Sequence, residues 1–136
     1  MTPETRSYEL LFDEGGIRAD LKACRERDRY AFSYIIVALG ELRANPSTAE
    51  NFVMVGWQDE TVEDVAWIES LQREGINASR VKIWDVKDWR MIFFADHKRR
   101  RAALVAVMPR NDNYEKNTIL WSRLREAYER LGFERR

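Results

Sequence analysis

The side chains of this sequence that are best suited to chemistry are the cations of its C-terminal part. The whole chain has 23 Lys plus Arg and 23 Asp plus Glu, so its formal charge is zero, which at face value argues against binding to nucleic acid. Residues 1–79, however, contain 8 basic and 15 acidic side chains, whereas residues 80–136 contain 15 basic and 8 acidic ones. Such an asymmetry is typical of a protein with a face for a polyanion. The run Lys98-Arg99-Arg100-Arg101 places four cations together that can bind RNA phosphates.

Other kinds of site chemistry have little support. The single histidine, His97, lies between Asp96 and Lys98 at a predicted hairpin tip, where we expect an exposed turn residue rather than a general base. The single cysteine, Cys24, lies in an apolar helical pattern and is expected in the core. With one residue of each kind, we expect no metal site and no cofactor. The longest apolar run, residues 34–40, is too short to cross a bilayer, so we expect a cytoplasmic protein with no membrane partner.

The N-terminal half is predicted to be one strand followed by helices. Residues 8–12 are typical of a strand and precede a turn at Gly15-Gly16. Apolar residues then recur with helical spacing from residue 17 to residue 42, as one long helix or as a helical hairpin joined near Asp28, ending at Asn45-Pro46. A further helix is predicted where Val62, Val65, Ile68 and Leu71 share one face.

The C-terminal half carries the strand signals. Residues 80–86, 89–96 and 102–108 are three runs rich in Val, Ile, Phe and Trp, and their short connections predict a three-stranded antiparallel sheet. A C-terminal helix follows, with Asn117 or Thr118 as its cap and Gly132 just beyond its end. The sequence therefore predicts one α+β domain over residues 1–136: N-terminal strand, helical hairpin, three-stranded antiparallel sheet and C-terminal helix.

This arrangement predicts where a partner would bind. The helices are expected to cover one face of the sheet and to leave the other face, or its edge, open and electropositive, with the acidic helices on the opposite side. Lys87, beside the second strand, is a candidate for RNA binding on that open face. Of Trp84 and Trp89, the one that faces outward can stack on a base, as aromatic side chains do in RNA-binding sheets, and Trp89 is our candidate.

Residues 80–131 resemble the RelE/ParE superfamily of bacterial toxins, in particular its RelE and HigB branch. The resemblance rests on three segments: the strand Asp88-Trp89-Arg90-Met91-Ile92-Phe93-Phe94, the strand Ala103-Leu104-Val105-Ala106-Val107, and the segment Pro109-Arg110-Asn111-Asp112-Asn113-Tyr114 that leads into a helix. The first 79 residues match only in the order of their elements. The resemblance implies a toxin of a type II toxin–antitoxin system that cuts mRNA on the ribosome, needs no metal, and is held inactive by a cognate antitoxin.

The resemblance also implies roles for individual residues. In these enzymes the 2′-hydroxyl of the RNA attacks the adjacent phosphorus, so a base, phosphate-binding cations and an acid are needed. Arg90 would bind the scissile phosphate, Arg110 would stabilise the transition state, and Tyr114 would orient a nucleotide and exchange a proton. Lys82 would hold phosphate, but Trp84 stands where RelE-like enzymes carry a second lysine, so one expected cation is missing.

Two other functions remain open at this stage. A ParE-like member of the superfamily binds DNA gyrase and cuts no RNA, and the absent second lysine favours that branch. Alternatively, the chain is a non-catalytic module whose basic face docks on nucleic acid. The sequence does not decide between these functions, and it does not locate the antitoxin-binding surface, for which the apolar face of the last helix and the groove between the helices and the sheet are candidates.

Overall fold

The computed structural model describes residues 7–110 and 118–136, and its architecture confirms the predicted α+β class. In chain order the elements are β1 (Glu9–Phe12), α1 (Glu14–Arg27), α2 (Arg29–Ala44), a 3₁₀ helix (Pro46–Val53), β2 (Val62–Trp67), α3 (Glu69–Arg73), β3 (Ala78–Ile83), β4 (Trp89–Asp96), β5 (Arg101–Pro109) and α4 (Thr118–Arg130). None of the helices in the described ranges is long and apolar enough to cross a membrane.

The predicted helical hairpin consists of α1 and α2, which meet at Asp28. The carboxylate of Asp28 accepts a hydrogen bond from the backbone N of Ala31 at 3.0 Å, and this N-cap starts α2. α2 ends before Asn45-Pro46, as the proline predicts, and the chain continues as the 3₁₀ helix. The turn predicted at Gly15-Gly16 is instead the first turn of α1, and Gly16 is needed there for a reason of packing described below.

The sheet has five strands in the order β1-β5-β4-β3-β2, so the predicted three-stranded sheet is too small. The three predicted strands are β3, β4 and β5, and they pair antiparallel as expected. β2 adds antiparallel to β3, and β1 adds parallel to β5. The predicted N-terminal strand thus joins the same sheet, which the sequence does not reveal because parallel partners are joined by a long crossover without a local turn signal.

The helix predicted from Val62 onward is wrong for residues 62–67, which form β2, and a β-bulge explains the error; its later part coincides with α3. The pairing of β2 with β3 shifts between Val62 and Asp64, so Val62 and Val65 both pack into the core on the same face of the sheet. In a regular strand, residues three apart point to opposite faces. The bulge therefore produces a spacing of three that imitates a helix, while Ile68 and Leu71 belong to the start of α3 and to the core on the other face.

Both faces of the sheet are covered, so the predicted open face does not exist. On one face, α1, α2 and the 3₁₀ helix pack over strand residues such as Met91, Phe93 and Leu104. On the other face, α3 and α4 pack over residues such as Ile92 and Phe94. A sheet that is buried on both faces needs apolar residues at nearly every position of its central strands, which explains the continuous apolar runs of β4 and β5.

Asp20 of α1 and Arg123 of α4 meet at the edge of β5, although the two helices cover opposite faces of the sheet. β1 pairs with β5 only as far as Leu104, so the following residues of β5 form a sheet edge. Oδ2 of Asp20 accepts the backbone N of Val107 at 2.8 Å, and Nη2 of Arg123 donates to the carbonyl of Val105 at 2.7 Å. The two side chains also form a bidentate ion pair at 2.8 and 2.7 Å. We name these two residues the edge pair.

Alanine at Gly16 should destabilise the protein, whereas alanine at the neighbouring Gly15 should stabilise it. A Cβ at Gly16 would lie 2.7 Å from Nη2 of Arg123, which is held by the edge pair, while a Cβ at Gly15 would meet nothing within 4 Å. Helix propensity alone favours alanine over glycine by about 0.5–1 kcal/mol. In urea denaturation we expect Gly15→Ala to raise the free energy of unfolding by up to that amount and Gly16→Ala to lower it by about 1–2 kcal/mol. Equal gains in both variants would contradict the packing role of Gly16.

Candidate nucleic-acid interface

One end of the sheet collects five of the predicted site residues, four cations and Trp89. We name this region, residues 80–90 and 108–110, the turn end, because it contains the turn between β3 and β4. Lys82 lies at the end of β3, Lys87 lies exposed in the turn, and Arg90 lies at the start of β4. Arg110 follows β5, and its backbone N donates to the carbonyl of Asp88 at 2.6 Å. Residues that are up to 28 positions apart in the chain are thus brought together.

Arg90 is buried at the turn end, with only 3% of its surface exposed. Its Nη1 donates to the carbonyls of Lys87 and Trp89, each at 2.9 Å. A guanidinium that binds backbone carbonyls fixes the path of the turn, because it satisfies groups that would otherwise be buried without a partner. In this structure, Arg90 therefore holds the turn rather than facing solvent.

Lys82 is partly exposed, and its charge is already neutralised. Its Nζ forms an ion pair with the carboxylate of Glu63, and the two side chains are 33% and 26% exposed. Asp64 on β2 stands directly opposite Lys82 in the pairing of the two strands. A phosphate that binds Lys82 must therefore compete with these carboxylates.

Arg80 is a site candidate that the sequence analysis missed. It is paired with Ala66 on β2 and with Ile92 on β4, and its side chain is partly exposed. Because side chains two residues apart on a strand point to the same face, Arg80 and Lys82 lie on one face of β3. A second cation thus lies two residues before Lys82, whereas the resemblance implies one two residues after it. The sequence pattern that could have identified Arg80 is the alternation of basic and apolar residues in Arg80-Val81-Lys82-Ile83.

The remaining predicted residues of this end differ in their accessibility. Arg110 is exposed, whereas Tyr114 lies outside the described residues. Trp89 is only 4% exposed and packs in the core with the guanidinium of Arg27 5.3 Å from its ring centre, so its ring would have to leave the core to stack on a base. Trp84 is the more exposed of the two tryptophans, and its Nε1 donates to the carbonyl of Asp59 at 2.7 Å.

The basic run Lys98–Arg101 lies at the opposite end of the sheet. We name residues 96–101, which form the tip of the β4–β5 hairpin, the tip end. From Arg90 to Asp96 the strand advances six residues, or about 20 Å, so the structure separates the run from the turn end. The predicted RNA-binding residues Lys98, Arg99, Arg100 and Arg101 therefore do not share one site with Lys82, Arg90 and Arg110.

Most cations of the tip end have structural contacts. Arg101 binds Asp96 at 3.2 Å, donates to the carbonyls of Leu131 and Gly132 at 3.3 and 2.9 Å, and lies over the ring of Phe133. It thereby ties the C-terminal end of α4, where carbonyls lack helical partners, to the hairpin tip. Arg99 pairs with Glu134, and Arg100 has a positive φ of 54° that places it in the hairpin turn. Lys98 is exposed.

The sequence predicts that the acidic side chains of residues 1–79 lie apart from the basic ones. In the structure, several of them instead bind basic side chains of residues 80–136. Among the residues that the structure describes, four ion pairs join the acidic first part of the chain to the basic second part. These ion pairs between distant parts of the sequence stabilise the fold. They also neutralise part of the positive charge, so the exposed positive charge is smaller than the sequence suggests. The four pairs are Asp13–Arg130, Asp20–Arg123, Glu63–Lys82 and Glu74–Arg125.

Metal and thiol chemistry have no visible site in the described part of the chain. No group of three or more His, Cys, Asp or Glu side chains that could hold a metal ion occurs among the described residues. Cys24 is completely buried, and desolvation raises the pKa of its thiol to about 11. This burial confirms that Cys24 is a core residue, because a reactive cysteine needs an accessible thiolate.

Comparison with known proteins finds a likeness of structure but no match to a family or to a curated protein. No model of a protein family matches the chain, and no curated protein matches it either. The fold is similar to a chain in the crystal structure of an archaeal RelE–RelB complex from Pyrococcus horikoshii OT3, with a TM-score of 0.42 and 16% sequence identity. The likeness covers 79% of this chain and 99% of that chain.

Replacement of Arg90 should cost stability, whereas replacement of Arg110 should not. Arg90→Ala leaves the buried carbonyl of Trp89 and the partly buried carbonyl of Lys87 without this donor, and we expect the free energy of unfolding to fall by about 2–3 kcal/mol. Arg110→Ala removes an exposed side chain and should change it by no more than about 0.5 kcal/mol. Urea denaturation of both variants measures the difference. A neutral Arg90→Ala variant would mean that the guanidinium does not hold the turn.

Proposed function

We propose that this chain is the toxin of a type II toxin–antitoxin system and that it acts as a metal-independent, ribosome-associated mRNA endoribonuclease. One observation carries the proposal: Arg80, Lys82, Arg90 and Arg110 lie on or directly after three adjacent strands, at the same end of one sheet. Lys82, Arg90 and Arg110 are cations that the sequence resemblance implies, and Arg80 adds a further cation two residues before Lys82. The resemblance gives the reaction, and the fold supplies the proximity of residues that are distant in the chain.

The proposed reaction needs no group beyond the RNA and the side chains. The 2′-hydroxyl oxygen forms a bond to the adjacent phosphorus, the bond from phosphorus to the 5′-oxygen breaks, and the products are a cyclic phosphate and a 5′-hydroxyl. A base accepts the proton of the 2′-hydroxyl, and an acid returns one to the leaving oxygen. Cations that bind the phosphoryl oxygens stabilise the charge of the transition state.

Among the described residues, Arg110 is best placed for the transition state. Its side chain is exposed at the turn end, and a guanidinium stays charged and can bind two phosphoryl oxygens at once. Arg80 and Lys82 would bind flanking phosphates, with Glu63 released from Lys82 when RNA enters. The freed carboxylate of Glu63 would then be available as a proton acceptor. Arg90 acts as a positioning residue, because it shapes the turn that carries Lys87.

The burial of Arg90 favours a second candidate function. If the cation that the resemblance places on the scissile phosphate stays bound to carbonyls, the chain binds its target without cutting RNA. A ParE-like inhibitor of DNA gyrase and a non-catalytic nucleic-acid-binding module both fit that arrangement. Neither of these functions yields cleaved transcripts, and only gyrase inhibition yields a DNA damage response. A single induction experiment therefore separates the three functions.

The outer face of α2 supports a protein partner, which we propose is the cognate antitoxin. Tyr30, Tyr34 and Val37 are large apolar residues that share one face of this helix, with exposed fractions of 38–61%, and the rings of Tyr30 and Tyr34 are in contact. Exposed apolar side chains that adjoin one another are typical of interaction sites, and a helix can bind to them through its own apolar face. The apolar face of α4 is buried against the sheet, so that predicted docking surface is excluded for the folded chain.

Induction of the wild-type chain in a bacterial host should arrest translation and yield cleaved transcripts with 5′-hydroxyl ends. Arg110→Ala should reduce the cleavage rate by about 10²–10³-fold, as the loss of one transition-state donor does in other enzymes. The matched control is Arg73→Ala, which removes an exposed arginine of α3 whose side chain is 74% exposed and should leave cleavage unchanged.

Other outcomes of this induction would contradict the nuclease. A DNA damage response with intact transcripts would support gyrase inhibition. The absence of any growth defect would support the binding module. Cleavage by Arg110→Ala at the wild-type rate would remove Arg110 from the site.

Val37→Asp should weaken neutralisation by the antitoxin and leave toxicity intact. The side chain of Val37 is exposed, so a carboxylate there should not disturb folding, but it would be desolvated under an apolar partner face. Co-expression with the candidate antitoxin from an adjacent reading frame measures neutralisation. Ile119→Asp on α4, whose side chain is 82% exposed, is the control. Loss of neutralisation in the control alone would place the antitoxin on α4 instead.

A further inference from the structure

A cleft of about 310 Å³ lies at the tip end of the sheet, on the side away from the turn end. One wall is the hairpin tip with His97, Lys98 and Arg99, and the other is formed by residues 134–136. Asn77 and Tyr128 also line the cleft, and both are buried polar side chains. Its volume is in the range of sites that hold small organic molecules.

His97 is held in place by a hydrogen bond from inside the protein. Nδ1 of His97 lies 2.7 Å from the hydroxyl of Tyr8, and the two rings meet edge to face with centres 5.9 Å apart. Burial raises the pKa of the Tyr8 hydroxyl, so this group stays protonated. Because the bond to Tyr8 occupies Nδ1, Nε2 is the nitrogen that remains for a ligand. The hydrogen bond to the buried Tyr8 fixes the orientation of the exposed His97 ring, and a turn histidine that only faces solvent has no need of such a partner.

The charge of the cleft favours an anion. Two carboxylates line it, and each is bound by an arginine: Asp96 by Arg101 at 3.2 Å and Glu134 by Arg99 at 3.0 Å. Within residues 7–110 and 118–136, no carboxylate forms an ion pair with Lys98. Arg135 pairs with Glu129 at 3.9 Å, so the added positive charge of the cleft comes from Lys98 and Arg136, and it makes the cleft attractive to phosphate.

We propose that this cleft binds the phosphate of a nucleotide, with His97 and Lys98 as donors to the phosphate oxygens. The nucleotide can be a free mononucleotide or part of an RNA strand. The RNA form of this inference rests on the proposed function, because it makes the cleft a second contact about 20 Å from the turn end. The mononucleotide form does not rest on it.

The test uses the full chain with Arg110→Ala, so that cleavage of the RNA is slow during the measurement. His97 is the only histidine, and its ring resonances in an NMR spectrum therefore report on the cleft without ambiguity. The probes are adenosine 5′-monophosphate, a short single-stranded RNA, and adenosine, which lacks the phosphate. We expect the first probe, the second or both to shift the His97 resonances and adenosine to leave them unchanged.

Two variants test the role of the cleft cation. Lys98→Ala should weaken binding of the phosphate-bearing probe about tenfold, the effect of losing one charged hydrogen bond. Lys22→Ala removes an exposed lysine of α1, a helix that does not line the cleft, and should change the affinity by no more than about twofold. Calorimetry measures both affinities.

The outcomes separate the sources of the phosphate and can overturn the inference. If adenosine 5′-monophosphate binds as tightly as RNA, the cleft is a mononucleotide site; if only RNA binds, it is a strand contact. The inference is overturned if neither probe shifts His97, if adenosine shifts it equally, or if Lys98→Ala binds like its parent. Failure of the nuclease proposal appears in uncut transcripts and leaves mononucleotide binding in place, so the two failures are distinguishable.

Discussion

The edge pair, Asp20 with Arg123, is the contact on which the rest of the architecture depends. It joins a helix on one face of the sheet to a helix on the other, and it satisfies two backbone groups of β5 where β1 has ended. The side chains are only 15% and 28% exposed. Removal of either partner would leave the other charge and a backbone group poorly satisfied in a partly buried position, which is more costly than the loss of a surface ion pair. Gly16 is part of the same contact, because its missing side chain leaves room for the guanidinium.

This construction decides where the protein can interact. Because helices cover both faces of the central strands β4 and β5, polar ligands can reach these two strands mainly at their ends. The two ends differ in character: the turn end combines the exposed Arg110 with cations that are already engaged, such as Arg90, whereas the tip end combines Lys98 with a histidine that is supported from the core. The proposed reaction and the proposed nucleotide cleft therefore occupy separate regions of one rigid sheet.

The zero net charge of the chain acquires a structural meaning. The acidic first part and the basic second part of the sequence fold onto each other and form ion pairs, of which Glu63 with Lys82 is the one that lies at a candidate site. Such a pair lowers the attraction of the site for any passing polyanion, because a ligand must displace a carboxylate that is already bound. A target that is held in place by other contacts, as a message on a ribosome would be, suffers less from this competition.

The sequence by itself determined the α+β class, the limits of β4 and β5 to within a residue, helical structure over residues 17–42 with Asp28 as a candidate break, and the burial of Cys24. These features follow from local patterns: apolar spacing, capping residues and proline. The tertiary structure alone decided that β2 is a strand, because it pairs with β3 through a bulge that gives Val62 and Val65 the spacing of a helix. It also decided that Arg90 is buried, because only the folded turn brings carbonyls to its guanidinium. It also decided that the cations of the site divide between two ends of the sheet. Residue spacing records local geometry, whereas burial, pairing and distance depend on which segments meet after folding.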